Sequence, residues 1–479
     1  MKQMQMRFTG SRGGSPSAHL RVPLVACAAV VLGVAVQSGV QAVSNGNKLL
    51  LVIPLAAVVG LALVAVGAVR FELFAFTTIA IRSSLDVTKP TTGTGSAGVA
   101  TAAASGLDPA GALAVLFMIA ALLWWLMRRS AGLTSPRASV HRVALILFTG
   151  AGFVSIIDSA FPTVSLLEAV RVAAVSTMLA VMEVLLVDRR RVYHMIVAIY
   201  ASALVPVGLT LFNAVLHHSQ FSSGGFDRYM GTFSQPNPFA IYLTMLIVMG
   251  VAILPHLATR WRWALLPLLG GCVICLYLTY TRSAWLATVV GVVVVAVVGR
   301  RRALMAVIVV GLAAVVIAVP TVSQRFADLG SSGVNAAGNT SNSLAWRFDY
   351  WGQVLPLAAK DPVTGIGLKM SSFGTTVAKE PHNDFLRAYV ETGVVGTIAY
   401  LLLLASMMMV ARQSMKGAGP GFDRSIAVGF TGCVTAFVLI SVVSNVITEV
   451  IVLWYYVAFA AAAYAVIQFN PARRDAGRR

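Results

Sequence analysis

Long uncharged apolar runs alternate with short polar joints along the chain. They lie near 22–42, 48–69, 109–127, 140–160, 164–187, 192–213, 238–255, 264–281, 283–299, 303–320, 385–411, 425–444 and 449–468. Runs of about eighteen residues or more without a fixed charge are long enough to cross a bilayer as helices. Lipid offers no partner to backbone polar groups, so helices are expected and open sheets are not. No period-2 alternation suggests a barrel. A shorter run, FELFAFTTIAI at 71–81, is ambiguous. The pattern predicts an all-α, polytopic integral membrane protein with 12–14 transmembrane helices and one large outward loop that itself contains helices.

Composition agrees. Of 479 residues 58% are hydrophobic and 11% charged, and the mean hydropathy is +0.82. A soluble core cannot hide that much apolar surface. The net charge of +19 would suggest nucleic acid in a soluble protein. In a polytopic one, Lys and Arg gather on cytoplasmic loops, so no nucleic-acid partner is expected and the partner is membrane lipid. Cys27, Cys272, Cys275 and Cys433 all fall in apolar runs. Cys272 and Cys275 form a C-x-x-C, but no second pair or nearby histidine completes a metal site, so they read as core thiols.

The basic clusters orient the chain. The tail 1–21, Arg70, Arg128 to Arg142, Arg189 to Arg191, Arg260 with Arg262, Arg300 to Arg302, Arg412 to Arg424 and 473–479 carry 24 of the 36 Lys and Arg. They fall on one side in short loops, which makes that side the cytoplasm. Thirteen crossings would strand the basic C-terminus outside, so an even number is required. Either 71–84 crosses, giving fourteen, or the first hairpin is partly re-entrant, giving twelve. The resulting organisation is a cytoplasmic tail over 1–21, transmembrane helices with short loops over 22–320, a large periplasmic loop over 321–384, C-terminal transmembrane helices over 385–468 and a cytoplasmic tail over 469–479.

The outward segments are 85–108, 214–237, the tight turn at 281–283 and 321–384. Within the last, SLAWRFDYWGQVLPLAA at 343–359 predicts a helix capped by Ser343 or Asn342. Its stripe of Leu344, Phe348, Trp351 and Leu355 suits a membrane surface or the lid of a cavity. His382 lies where this loop enters an apolar helix, with Asn383 or Asp384 placed to cap it.

Three outward arginines stand out. Arg228 lies in DRYMGTFSQPNPFAIYL, Arg282 at the tip of the hairpin YLTYTRSAWLATVV, and Arg347 in the loop helix. An arginine near hydrocarbon is costly and faces a partner, a wet cavity or the interface. Its planar fork grips phosphate through two parallel hydrogen bonds and keeps its proton. Several around one ligand would hold a diphosphate without a metal, and no paired Asp motif of the D-x-D kind occurs in the outward loops. No cofactor is expected. Within the membrane, Asp158, Glu168, Arg171 and Glu183 read either as internal ion pairs or as the relay of a transporter. Against the transporter, no internal repeat of broken helices is visible.

RYMGTFSQPNPFAIYL, LTYTRSAWL, the outward loop with AWRFDYW and GIG, and the closing PHNDFLRAYVETGVVG occur in that order. Together they resemble the O-antigen ligase and O-antigen polymerase superfamily, over about residues 140–468, and O-antigen ligases most. The resemblance implies a metal-independent, inverting glycosyltransferase of the GT-C kind. It would sit in the bacterial inner membrane with both termini cytoplasmic and its active site on the periplasmic face. The donor would be a polysaccharide on undecaprenyl diphosphate and the acceptor a sugar of lipid A–core. By the same resemblance His382 is the catalytic base, Arg282 and Arg347 bind the diphosphate, and Arg228 is a further basic position. The polymerase, with the same donor and another lipid-linked glycan as acceptor, and a protein O-oligosaccharyltransferase remain alternatives.

Overall fold

The computed structural model describes residues 67, 69–88, 109–133, 138–223, 226–318, 343–375 and 379–469. The expectations for the tail 1–21, the runs 22–42 and 48–69, most of 85–108, the segment 321–342 and the last ten residues lie outside them. The described chain is helical: α1 (Phe71–Arg82), α2 (Pro109–Ser130), α3 (Val140–Val154), α4 (Pro162–Leu185), α5 (Arg189–Ser202), α6 (Leu204–Val215), α7 (Pro236–Ile253), α8 (Thr259–Leu278), α9 (Arg282–Val298), α10 (Arg302–Ala318), α11 (Ser343–Val354), α12 (Asp384–Gly417), α13 (Phe422–Val443) and α14 (Val450–Gln468). Between α6 and α7, β1 (Phe221–Ser223) and β2 (Phe226–Arg228) pair antiparallel, Phe221 opposite Arg228.

Among the described residues eight helices are long and apolar enough to cross a membrane, and Val140–Val154, Arg282–Val298 and Arg302–Gly311 are shorter apolar ones. The expected run at 192–213 is two helices, α5 and α6, meeting at Ala203. Of the two compact units, Met1–Phe74 with Ile119–Thr134 is the smaller. In it the rings of Phe71 and Trp124 stack at 4.5 Å and Arg128 lies over Trp124. The larger unit, Ala75–Met118 with Ser135–Arg479, carries every candidate site residue.

At the centre of the larger unit, α14 is buried nearly all round, with Trp454, Tyr455 and Phe459 closed off. Small residues let α7, α9 and α13 approach closely, as membrane helices require. A Cβ on Gly432 would meet the Gly291 carbonyl at 2.7 Å. The pairing of Thr244 with Thr288, and of Met245 and Met249 with Cys433 and Gly429, makes α7 and α9 parallel and α13 antiparallel to both. The heads of α7 and α9 and the tail of α13 therefore share one end of the bundle. At the other end Arg189 grips Asp423 through Nε and Nη2, and Arg301 donates to the last carbonyls of α7, Val251 and Ala252. Glu183 is held there too, by Ser139, by His141 Nε2 at 2.6 Å and by Arg142 Nε at 3.3 Å.

The expected single crossing at 385–411 is interrupted. α12 has 34 residues, about 51 Å if straight, against a hydrocarbon core of about 30 Å. It breaks at Gly393, whose φ of 64° and ψ of −167° belong to a region open essentially only to glycine. Asp384 and Tyr400, sixteen positions apart, are thereby brought into hydrogen-bond reach at 3.3 Å. The first limb thus folds back against the second, and the second limb alone crosses.

A break frees backbone groups that must find partners. The turn 361–367, DPVTGIG, supplies them. Ile366 N and Gly367 N donate to the Val390 and Glu391 carbonyls, and Val394 N and Val395 N donate to the Pro362 and Val363 carbonyls. The approach leaves no room for a side chain. A Cβ on Gly365 would stand 2.4 Å from the Glu391 carbonyl carbon, and one on Gly393 2.2 Å from the Val363 carbonyl oxygen. Beneath this seam Val164, Tyr350, Val354, Ala358, Ile366, Met370 and Val390 form a small core. Of the expected stripe Phe348 and Leu355 are outward, 64% and 52% exposed, while Trp351 is half-buried; the packed face is Trp346, Tyr350 and Val354.

Gly393→Ala and Gly365→Ala should each cost about 1–3 kcal/mol in backbone strain before any clash is counted. Gly150→Ala, in α3 with nothing within 4 Å of its Cβ position, should be neutral or stabilising. Thermal midpoints of the purified variants in detergent test this; equal midpoints for all three would show that the seam holds nothing.

Candidate active site

His382 sits in the short irregular lead into α12, at the end of the bundle that carries the heads of α7 and α9. Its φ of 52° is left-handed, a conformation in which histidine is one of the less disfavoured residues. The neighbouring backbone is fixed by side chains. Trp351 Nε1 donates to the Pro381 carbonyl at 2.6 Å, and the Tyr350 hydroxyl donates to the Lys379 carbonyl. Asn383 is the N-cap, its Oδ1 accepting from Leu386 N at 3.0 Å. Asp384 is not the cap. Its buried Oδ1 accepts from Val446 N and Ile447 N, at 2.8 and 3.1 Å. That bolts the turn between α13 and α14 to the start of α12 and delivers Asn445, whose Nδ2 lies 3.1 Å from His382 Nδ1. Trp346 presents its ring at an angle to the imidazole, 6.0 Å away, and Lys379 lies over the same indole.

Arg347, one residue along α11 from Trp346, bears on this imidazole. Burial first, and then the Arg347 guanidinium, hold the His382 pKa down to about 4; Lys379 and Arg387 push the same way, while Glu380 opposes them. Burial also lowers the pKa of Arg347, which stays charged at any working pH. Among the described residues Arg347 has no hydrogen bond or ion pair. The contrast with Arg387 is informative. That side chain, 1% exposed, is spent on Glu391 and Glu380, each at 3.0 Å. Glu391 in turn accepts from Ser371, Glu168 pairs with Arg171 at 3.0 Å, and Asp158 accepts from Thr364. Glu168 and Glu183 lie about 22 Å apart along α4, at opposite ends, each with its own local partners. These four residues are local ion pairs and hydrogen bonds, not a chain.

Arg282 is the first residue of α9, following the N-cap Thr281. It is partly buried at a helix N-terminus, where free N–H groups and the dipole favour an anion. Arg228 holds the hairpin that presents it. Its Nε donates to the Thr279 carbonyl at 2.7 Å, and Nη2 donates to Asn237 Oδ1 and Thr281 Oγ1, both at 2.9 Å. Arg282 is level with the other group. α9 crosses α13 at Gly291 and Gly432–Ala436. Nine residues up each antiparallel helix, about 14 Å, lead to Arg282 on one and to 441–445 on the other. So the structure places His382 with Arg347, and Arg228 with Arg282, at the same end of the bundle. Among the described residues no three His, Cys, Asp or Glu side chains gather as metal ligands, and Cys272, Cys275 and Cys433 are buried free thiols.

Fold and site together define a polytopic helical membrane protein with an imidazole and arginines at one end. Residues 267–401 match the family model described as O-antigen ligase. That stretch runs from α8 through the Arg282 hairpin, Arg347, the 361–367 turn and His382 into the second limb of α12. The chain thus shows the features of the O-antigen ligase superfamily over this segment, which supports an activity of O-antigen-ligase type in general terms. A comparison with curated proteins gave no match.

The depressed pKa of His382 has a consequence for stability. Its unfolded value is about 6.5. Acid therefore protonates the unfolded chain more readily than the folded one, and this group withdraws stability as pH falls from 6.5 towards 4. His382→Asn keeps a residue that tolerates the left-handed backbone and removes the titration. Between pH 7 and pH 5 the unmodified protein should lose more thermal stability than His382→Asn; parallel losses would place the imidazole in ordinary solvent.

Proposed function

We propose that the protein is a glycosyltransferase that moves a polysaccharide from undecaprenyl diphosphate to a hydroxyl of lipid A–core, on the periplasmic face of the inner membrane, without a metal and with inversion. The observation that carries this reading is the juxtaposition of a neutral imidazole, His382, with a guanidinium, Arg347, that has no ion pair among the described residues.

The acceptor hydroxyl attacks the anomeric carbon and gives its proton to His382 as the new C–O bond forms. The bond to the diphosphate breaks, and its electron pair leaves as negative charge on phosphate. Arg282 and Arg347 meet that charge, which is larger in the transition state than in the bound donor, so they lower the barrier rather than merely bind. Arg228 serves the same ligand by holding the Arg282 hairpin in place. Arg347 lowers the basicity of His382. A diphosphate beside it sets negative charge against the guanidinium and restores basicity to the imidazole. Donor binding thus arms the base.

The decisive experiment mixes purified protein with lipid-linked glycan and, separately, with lipid A–core or a second lipid-linked glycan as acceptor. Product on lipid A–core supports a ligase; product only on the second glycan would make the protein a polymerase. His382→Ala should lower transfer by about a hundredfold to ten-thousandfold while donor still binds. Arg282→Lys and Arg347→Lys should restore little activity, because lysine lacks the fork. Full activity in the histidine variant would end the base assignment.

Orientation has its own test. A reporter placed within 343–375 should be exposed to the periplasm and a tag after residue 479 to the cytoplasm. A cytoplasmic signal from the loop would put His382 on the wrong side for a periplasmic acceptor.

A further inference from the structure

An imidazole can act as a base only through a nitrogen that carries no proton. His382 turns Nδ1 towards Asn445, at 3.1 Å, so Nε2 is the nitrogen left for an acceptor hydroxyl. A neutral imidazole holds one N–H. If Asn445 donates to Nδ1, the ring proton sits on Nε2, and His382 can give a hydrogen bond there but cannot take a proton. If Asn445 accepts from Nδ1–H, Nε2 is bare. The side-chain amide of one asparagine therefore decides whether this histidine is a base.

We propose that Asn445 is the positioning residue that fixes the tautomer of His382, accepting the Nδ1 proton through its carbonyl and leaving Nε2 unprotonated. The inference rests on the reading of His382 as the base. Asn445 is 6% exposed, and its Oδ1 is buried with no hydrogen-bond partner. Among the described residues no donor is bonded to that carbonyl, and a half-turn of the amide exchanges Oδ1 and Nδ2 with little change in shape. The half-turn gives the carbonyl the Nδ1 proton and moves the amide NH2 into the place the carbonyl left, so it exchanges one buried unpartnered group for another; what selects it is that a base needs a bare Nε2. The turn that carries Asn445 is not free to drift. Val446 N and Ile447 N are both fastened to Asp384, two residues from the histidine along the chain. One carboxylate thus sets the spacing between the imidazole and its partner.

The charged groups that act on the ring are Arg347 from α11, Lys379 and Glu380 from the loop, and Arg387 from α12; Asp384, whose carboxyl burial pushes up to about 7, holds the Asn445 turn and titrates alike in every variant. Asn445 adds a dipole and no charge. Asn445→Asp replaces it with a group of the same shape that only accepts and that carries a negative charge. The fixed tautomer is then kept and the imidazolium is stabilised. In the pH profile of kcat/KM, which reports the free enzyme's base, the acid limb should move upward by about one unit or more in Asn445→Asp. Asn445→Leu, of similar size but unable to accept, should lower kcat by about tenfold or more, less than His382→Ala, and leave the KM for the lipid-linked donor unchanged.

The assay uses the full purified chain with a polyprenyl-diphosphate-linked glycan as donor, and donor binding measured on each variant shows that it is folded. An active Asn445→Leu, or an Asn445→Asp whose acid limb does not move, would overturn the assignment of Asn445 while His382→Ala remained inactive. A dead Asn445→Asp beside a partly active Asn445→Leu would reverse the polarity, making Asn445 the donor and Nε2–H a hydrogen-bonding group. An active His382→Ala would instead overturn the base reading itself, so the two failures are distinct.

Discussion

The interruption of α12 at Gly393 is the constraint on which the site depends. An unbroken apolar helix satisfies its own backbone and has nothing to offer a loop. Once broken, it presents carbonyls at Val390 and Glu391 and N–H groups at Val394 and Val395, and in a membrane protein these cannot be left to lipid. The turn 361–367 answers all four. With it come α11, its aromatic inner face and Arg347, so that the long excursion between α10 and α12 ends beside His382. The glycines at both sides of the seam are there because the two backbones touch.

Charge is distributed by the same logic. A buried guanidinium that serves structure is surrounded, as Arg387 is by Glu380 and Glu391. Arg347 lies a short way off without such neighbours among the described residues, and its field falls on an imidazole. The segment matched to the O-antigen ligase model covers this wall, the Arg282 hairpin and the seam, but stops before the α13–α14 turn that holds Asn445.

Much of the bundle was legible in the sequence, because uncharged runs of bilayer length have few other outcomes. The Arg282 hairpin, the helix from Ser343, and His382 ahead of a cap at Asn383 were likewise readable from local chemistry. The break was not, since ETGVVG inside an apolar run reads as helix and a single positive φ leaves no periodic trace. The role of Asp384 was hidden because its partners are backbone groups sixty residues away. Asn445 lies in a short polar joint between two apolar runs, and nothing local marks its partner. Arg228 was legible as a cation, but its engagement with Thr279, Thr281 and Asn237 is a property of the fold. The short polar signals that carry chemistry depend on who sits opposite, and that is a matter of tertiary pairing.

The broken helix also sets the depth of the chemistry. The limb from 394 to 417 is about 36 Å long, slightly more than the hydrocarbon it crosses, and a modest tilt absorbs the excess. His382 and the turn that holds Asn445 lie beside this limb near Tyr400, so their depth follows the tilt of one rigid rod. A thicker bilayer stands that rod upright and draws the imidazole towards the acyl chains; a thinner one leans it over and lifts the imidazole into the headgroups. Membrane thickness thereby becomes a mechanical input to the depth at which the imidazole sits.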